Sequence, residues 1–263
     1  MTEISELTHP EKVITVSIVS HGQISLILPL LSQLDSYCHS SIEKVILTFN
    51  IPEEDLTFSN QYRFKLERIY NASTKGFGAN HNSAFNLCKS SWFLVLNPDI
   101  RLDSDVPSKL VKLADSDSAL LAPRIFEPGR RQPEQHRAMV TPLEIVSRKL
   151  PSHMAPAHPE WIPGLFMLFR HDVFASIAGF DETRYFMYGE DVDICARLQL
   201  AGWNLQVVDH LNALHDARRS SHISLAHFRW HISSLIKWWT SPVFWRFRSR
   251  LKVTKINGPL PPI

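Results

Sequence analysis

Three acids stand within four positions at Glu190, Asp191 and Asp193, in a GEDVD run that directly follows the aromatic stretch YFMY. Carboxylates crowded together against an apolar wall hold protons more tightly than free ones, which is what a general base near neutral pH needs. Apolar residues at Ile194, Leu198 and Ala201 predict a helix ending at Gly202, so Glu190 and Asp191 fall in its first turn. Acids there also gain about 0.3–1 kcal/mol each from the helix dipole, so capping explains the block as well as catalysis does. A second signal is Asn97-Pro98-Asp99 after the apolar run WFLVL. Proline ends the strand, and Asp99 then sits at its carboxyl edge as a hard oxygen ligand for a divalent cation that also binds phosphate; a plain turn is the simpler alternative.

Two weaker signals accompany these. In NASTKGFGANHNSAF, Gly76 and Gly78 precede a predicted helix with Asn80 and Asn82 in its opening turns, so backbone and amides could approach a nucleotide. The run is neither GxGxxG nor a Walker loop. His215 follows a short predicted strand over Leu205–Val208, one histidine among 13.

The elements that must position these residues are legible as short apolar runs alternating with helical spacing. Strands are predicted over Val13–Val19, Val45–Phe49, Lys65–Tyr70 and Trp92–Leu96, helices after Gly22 through Leu34, over Phe77–Cys88 and near Asp172–Ala178, and apolar order resumes at Gly164–Phe169. Such alternation means an α/β fold with a mostly parallel sheet flanked by helices, whose ligands gather at the carboxyl ends of strands. Polar residues follow three of those strands at once: Ser20-His21-Gly22, Asn50, and Asn97-Pro98-Asp99. The Pro-, His- and Arg-rich stretch from Pro123 to Pro163 has weak periodicity and suits an active-site loop or a surface insertion.

With 263 residues, 44% hydrophobic and 21% charged, the chain has a globular composition with ample core material. No apolar run is long enough to span a membrane, the N-terminus lacks a signal-peptide pattern, and three scattered cysteines suggest neither disulfides nor a zinc site, so a cytoplasmic protein is expected. Charge is uneven. Nine of the 28 basic residues and none of the 26 acidic ones follow Asp216. Within that tail, Ser224–Trp239 has amphipathic helical spacing, and Trp245 and Phe247 alternate with Arg246, Arg248 and Arg250. The tail suits contact with an anionic membrane, and a solvated face or a homodimer contact would explain it equally.

The order of the motifs is more specific than any one of them. A Gly-Phe-Gly-x-Asn-x-Asn segment, NPD after a strand, an apolar run entered through Pro163-Gly164, GFDETRYFMYGEDVDICARLQLAGW and a late histidine together resemble the inverting glycosyltransferases of family 2, with the GT-A fold. Within them the chain most resembles the rhamnosyltransferase-like branch of bacterial surface polysaccharide assembly. The resemblance implies a GT-A, Rossmann-like catalytic domain over residues 1–216 and a basic amphipathic helical extension over 217–263. It implies Asp191 as catalytic base with Glu190 beside it, Asp99 as ligand of Mg²⁺ or Mn²⁺, and His215 near that metal. Asn50, Gly76, Asn80, Asn82, Asn97, Asp99 and Gly164 are the implied donor-contacting positions, Gly164 in the turn on the acceptor side. Many relatives end their second strand in Asp-Asn, whereas this chain has Phe49-Asn50, so a dTDP sugar stands beside a UDP sugar as the donor. The implied acceptor is a glycan or lipid-linked saccharide at the inner face of the membrane. A sugar nucleotidyltransferase, a nucleic-acid-binding module built on the tail, and a non-catalytic scaffold are the alternatives; nucleic acid is not an expected partner, because it would leave the acidic block without a role.

Overall fold

In a computed structural model that describes residues 12–53, 62–216 and 225–257, eight strands form one sheet. They are β1 (Ile14–Ser20), β2 (Ile42–Phe49), β3 (Lys65–Tyr70), β4 (Trp92–Leu96), β5 (Ile100–Arg101), β6 (Ser118–Phe126), β7 (Phe166–Arg170) and β8 (Asn204–His215). The order is β3-β2-β1-β4-β7-β6-β8-β5. The first four run parallel, β7 is antiparallel to both neighbours, β6 and β8 are parallel, and β5 pairs antiparallel with the end of β8. The expected mostly parallel sheet flanked by helices is therefore present. The chain leaves β1 for β2 on one side and returns from β3 to β4 on its other side, and this reversal opens a crevice at the carboxyl ends of β1 and β4.

The helices are α1 (Ile24–Gln33), α2 (Phe77–Phe85), α3 (Val106–Lys112), α4 (Pro142–Ser147), α5 (His171–Ser176), α6 (Glu190–Leu200), α7 (Leu225–Trp239) and α8 (Pro242–Asn257). Strand alternation assigns them to two layers. Ile14, Val16 and Ile18 of β1 pack with Ile27, Leu30 and Leu31 of α1, and Val106 and Leu110 of α3 join the same core. The opposite face of the sheet sends Phe93 and Val95 into a second core with Phe174 of α5 and Ile194 and Leu198 of α6. On that face β1 presents Thr15 and Ser17 instead, and each finds a buried partner: Thr15 Oγ1 lies 2.8 Å from Ser90 Oγ, and Ser17 Oγ lies 2.8 Å from His81 Nδ1 of α2.

The tail helices belong to the second core. Trp238, Phe244 and Phe247 are all but fully buried there, each worth about 1.5–3 kcal/mol of apolar burial. Ser224, named above as the start of the tail's amphipathic spacing, lies outside the described residues.

Three strands depart from expectation: β5 and β6 are not predicted, residues 123–126 of β6 lying in the stretch read as irregular, and β8 is longer than predicted. The short strand over Leu205–Val208 is the first third of a 12-residue β8 that carries His215 as its last residue. Opposite β6 the register jumps from Pro123↔Val208 to Arg124↔Asn212, so β8 bulges at residues 209–211 and then resumes pairing. Asp209 in the bulge pairs with Arg124 at 2.6 Å. The polar pair Asp209-His210 reads as a strand end because a bulge interrupts the alternation without ending the ladder.

Candidate active site

The polar residues after β1, β2 and β4 converge on one cavity of about 290 Å³ at the sheet's carboxyl edge. Asn50, Asn80, Asn97, Asp99, Gly164 and Glu190 all line it. So do His21, Lys75 and Tyr188, which the sequence does not single out as site residues. His21 is signalled only by its place directly after β1.

One wall is an asparagine lattice. Asn50 Oδ1 accepts from the Lys75 backbone N–H at 2.8 Å and from Asn71 Nδ2 at 2.8 Å, while Asn50 Nδ2 donates to the Lys75 carbonyl at 2.9 Å. Asn71 Nδ2 also donates to Asn80 Oδ1 at 2.6 Å, and Asn80 Nδ2 donates to the Gly76 carbonyl at 3.0 Å. These amides fix the loop between β3 and α2. Gly76 is required by packing: a Cβ there would stand 2.2 Å from the Phe186 carbonyl oxygen, which accepts the Phe77 N–H at 2.9 Å. Asn82 lies outside the cavity. Its side chain brackets Phe180, accepting from the backbone N–H at 3.0 Å and donating to the carbonyl at 2.9 Å.

The opposite wall is the start of α6. Tyr188 and Gly189 both adopt positive φ, 69° and 89°, before the helix begins at Glu190. Glycine takes this conformation freely, but for a bulky residue such as tyrosine it costs on the order of 1–3 kcal/mol and must be held from outside. Helix α7 supplies the hold. His231 stacks on Tyr188 with ring centroids 3.6 Å apart, Ser234 Oγ donates to the Met187 carbonyl at 2.8 Å, and Trp230 lies against Phe186.

The three acids of this block divide by role. Asp193 is buried and paired with Arg197 at 2.7 Å, whose other nitrogens hold the carbonyls of Ile177 and Gly179. Glu190 faces the cavity, and its buried Oε2 has no hydrogen-bond partner among the described residues. Burial, with the Asp191 carboxylate beside it, raises its proton affinity well above the carboxylate range. Asp191 is not among the residues lining the cavity but bonds to one that is. Its Oδ2 accepts from the Gly164 N–H at 3.3 Å and its Oδ1 from the Val192 N–H at 2.9 Å. Burial raises its proton affinity too, opposed by these N–H groups and by the Arg137 guanidinium.

At the far side of the cavity, β5 pairs Ile100 with His215, which brings His215 Nε2 to 3.1 Å from Asp99 Oδ2. This bond raises the histidine's proton affinity against its burial. Asp99 Oδ1 is buried with no partner among the described residues. A lone buried carboxylate oxygen beside an imidazole fits a hard divalent cation such as Mg²⁺ or Mn²⁺. Among the described residues no group of three His, Cys, Asp or Glu is placed to hold a metal ion, so phosphate oxygens of a ligand would have to complete its coordination. The arrangement can therefore hold an anionic leaving group near Asp99 and accept a proton at Asp191.

No family model matches the chain. It is 31% identical over 245 residues to the rhamnosyltransferase WbbL of Escherichia coli, covering 85% of this chain and 91% of that protein. It is 37% identical over 100 residues to the N-acetylglucosaminyl-diphospho-decaprenol L-rhamnosyltransferase of Mycobacterium tuberculosis, covering 35% of this chain and 32% of that one. Among solved structures, the mannosyltransferase PcManGT of Pyrobaculum calidifontis in complex with GDP-Man and Mn²⁺ aligns with a TM-score of 0.61 over 95% of this chain and 76% of its own, at 13% identity. GalNAc-T7 with UDP, GalNAc and Mn²⁺ gives 0.61 over 78% of this chain and 44% of its own, at 14% identity. At such identities the structural likeness establishes the GT-A fold alone.

Proposed function

The chain belongs to the rhamnosyltransferase-like glycosyltransferases of family 2, and from that premise we propose an inverting, divalent-metal-dependent enzyme that moves L-rhamnose from a dTDP or UDP sugar to a glycan or lipid-linked saccharide in bacterial cell-surface polysaccharide synthesis. The observation that carries this reading is the convergence of Asp99, Glu190 and the strand-end asparagines on one cavity, with Asp191 on its outer side. The nucleoside diphosphate occupies the cavity, with the asparagine lattice shaping its nucleoside end and Asp99 its diphosphate end. A divalent cation held by Asp99, with His215 adjacent, would neutralise the charge that develops on the departing diphosphate. The acceptor hydroxyl enters from the Gly164 side, where Asp191 takes its proton as the oxygen bonds to the anomeric carbon. The bond from that carbon to the diphosphate breaks with its electron pair leaving on the diphosphate, and a single displacement inverts the centre. Glu190, protonated more readily than a free carboxyl, donates toward the donor without adding a second negative charge beside the diphosphate.

We further propose residues 1–216 as the catalytic unit, with the 217–263 extension completing its core, and a site of action at the cytoplasmic face of the membrane. No described helix is long and apolar enough to cross one. Titration of the purified chain with dTDP, UDP and GDP, with and without Mn²⁺, tests the reading. Selective, metal-enhanced binding of dTDP or UDP is expected. Folded protein that binds none of the three contradicts it, and release of inorganic pyrophosphate from a sugar phosphate and a nucleoside triphosphate would make it a nucleotidyltransferase.

A further inference from the structure

Among the described residues the three most exposed large hydrophobic side chains are Met154, Leu143 and Val146, at 88%, 78% and 62%, and all three fall in one short stretch at α4. Helix α4 buries none of its residues. By helical spacing Leu143, Val146 and, in the turn that follows, Leu150 share one face. Glu144, Ile145, Arg148 and Lys149 form the other face and line a cleft with Arg130 and Arg131. A surface helix ordinarily turns its apolar stripe to the core, and this one turns it to solvent.

The charges beside that stripe indicate what covers it. The two acids of the cleft are engaged, Glu134 with Arg137 at 2.7 Å and Glu144 with His153 at 2.9 Å, while Arg148 and Lys149 make no ion pair among the described residues. Helix α7 repeats the pattern, with Ile232 and Ile236 exposed beside Arg229 and Lys237, and neither α7 nor α8 contains an acidic residue. The two helices are neighbours, since the Trp238 and Trp239 indoles both donate to the Val140 carbonyl just before α4, at 2.9 and 3.0 Å. A second copy docked on this face about a two-fold axis would bring these cations toward their own counterparts. An anionic bilayer accepts both features, apolar side chains at the acyl boundary and lysine and arginine among the headgroups.

We propose that α4 docks the chain on an anionic membrane surface, with Leu143, Val146, Leu150 and Met154 entering the bilayer interface and Arg148 and Lys149 meeting its headgroups. The inference rests on the membrane-face location proposed above, names its surface, and uses no step of the sugar transfer. It also moves the contact away from the aromatic run of the tail, because Phe247 of that run is buried.

The test is flotation of the full chain with phosphatidylglycerol vesicles and with phosphatidylcholine vesicles, at low and high salt, with nucleotide titration and sedimentation velocity in parallel. The proposal expects binding to phosphatidylglycerol that exceeds binding to phosphatidylcholine and weakens with salt, and a loss of about tenfold or more in L143S/V146S. Both side chains are exposed, so the variant is expected to fold and to keep its Mn²⁺-dependent nucleotide affinity. Cys38, Cys88 and Cys195 are buried, so an environment-sensitive thiol dye on L143C reads this face alone, and its emission should shift to the blue on phosphatidylglycerol vesicles. An unshifted dye, or equal vesicle binding by wild type and L143S/V146S, overturns the proposal. So does wild-type protein that binds no vesicle, or a dimer that L143S/V146S dissociates, which would assign the face to a second copy. Wild-type protein that binds phosphatidylglycerol through this face but no nucleotide would support the docking surface while contradicting the transferase reading, so the two failures are distinct.

Discussion

His215 Nε2 stands 3.1 Å from Asp99 Oδ2 although 116 residues separate them in sequence. The bulge in β8 makes this possible, because it lets the strand run on past Val208 until its last residue pairs beside the NPD turn. One Asp99 oxygen is thereby fixed, and the other has no hydrogen-bond partner among the described residues.

The free oxygen should be the one that engages metal. Asp99→Asn is expected to abolish the enhancement of nucleotide affinity by Mn²⁺ while keeping the His215 contact through its amide oxygen. Calorimetric titration with and without Mn²⁺ measures this, and an undiminished metal effect would place the cation elsewhere.

Helix α7 holds the strained Tyr188-Gly189 turn that presents Glu190 and Asp191. Misplacement of a catalytic group by about 1 Å can cost up to roughly 100-fold in rate. His231→Ala combined with Ser234→Ala should therefore lower kcat markedly with donor affinity nearly unchanged, whereas a helix that only adds stability would lower Tm without changing kcat of the folded fraction. Steady-state kinetics alongside thermal melts separates the two.

Burial pushes His81 down to about pH 3, so it is neutral in the folded protein while the unfolded chain titrates near 6.5. The unfolded state thus binds the extra proton first. Stability from this residue is complete above pH 6.5 and declines as pH falls toward 3, at up to about 1.4 kcal/mol per pH unit. Urea melts between pH 7 and pH 5 should show the decline, and His81→Gln should flatten it if the variant keeps the Ser17 contact; an identical slope in wild type and variant would contradict the assignment.

Much of the cavity was legible because apolar strands end where polar residues begin, and His21, Asn50 and Asp99 follow that rule onto one edge. Asn80 and Asn82 show its limit. Two positions apart on a helix they point in nearly opposite directions, so one faces the cavity while the other braces Phe180. The GEDVD block was found by its chemistry, yet only packing separates Asp193, locked to Arg197, from its neighbours. The α7 clamp had no local signal, because it joins segments distant in sequence.

If Asp191 is the base of a sugar transfer, as proposed, its carboxylate is indispensable to turnover. The most direct measurement compares wild type and Asp191→Asn for nucleoside diphosphate release from dTDP-rhamnose in the presence of a lipid-linked acceptor, across pH 5 to 9, with the product's anomeric configuration read by NMR. The account predicts an inverted product, a wild-type rate that rises with pH through an apparent pKa above the ordinary carboxylate range, and a loss of about 10²–10⁴-fold in the variant with nucleotide affinity retained. Turnover by Asp191→Asn at the wild-type rate, or a product of retained configuration, would contradict it.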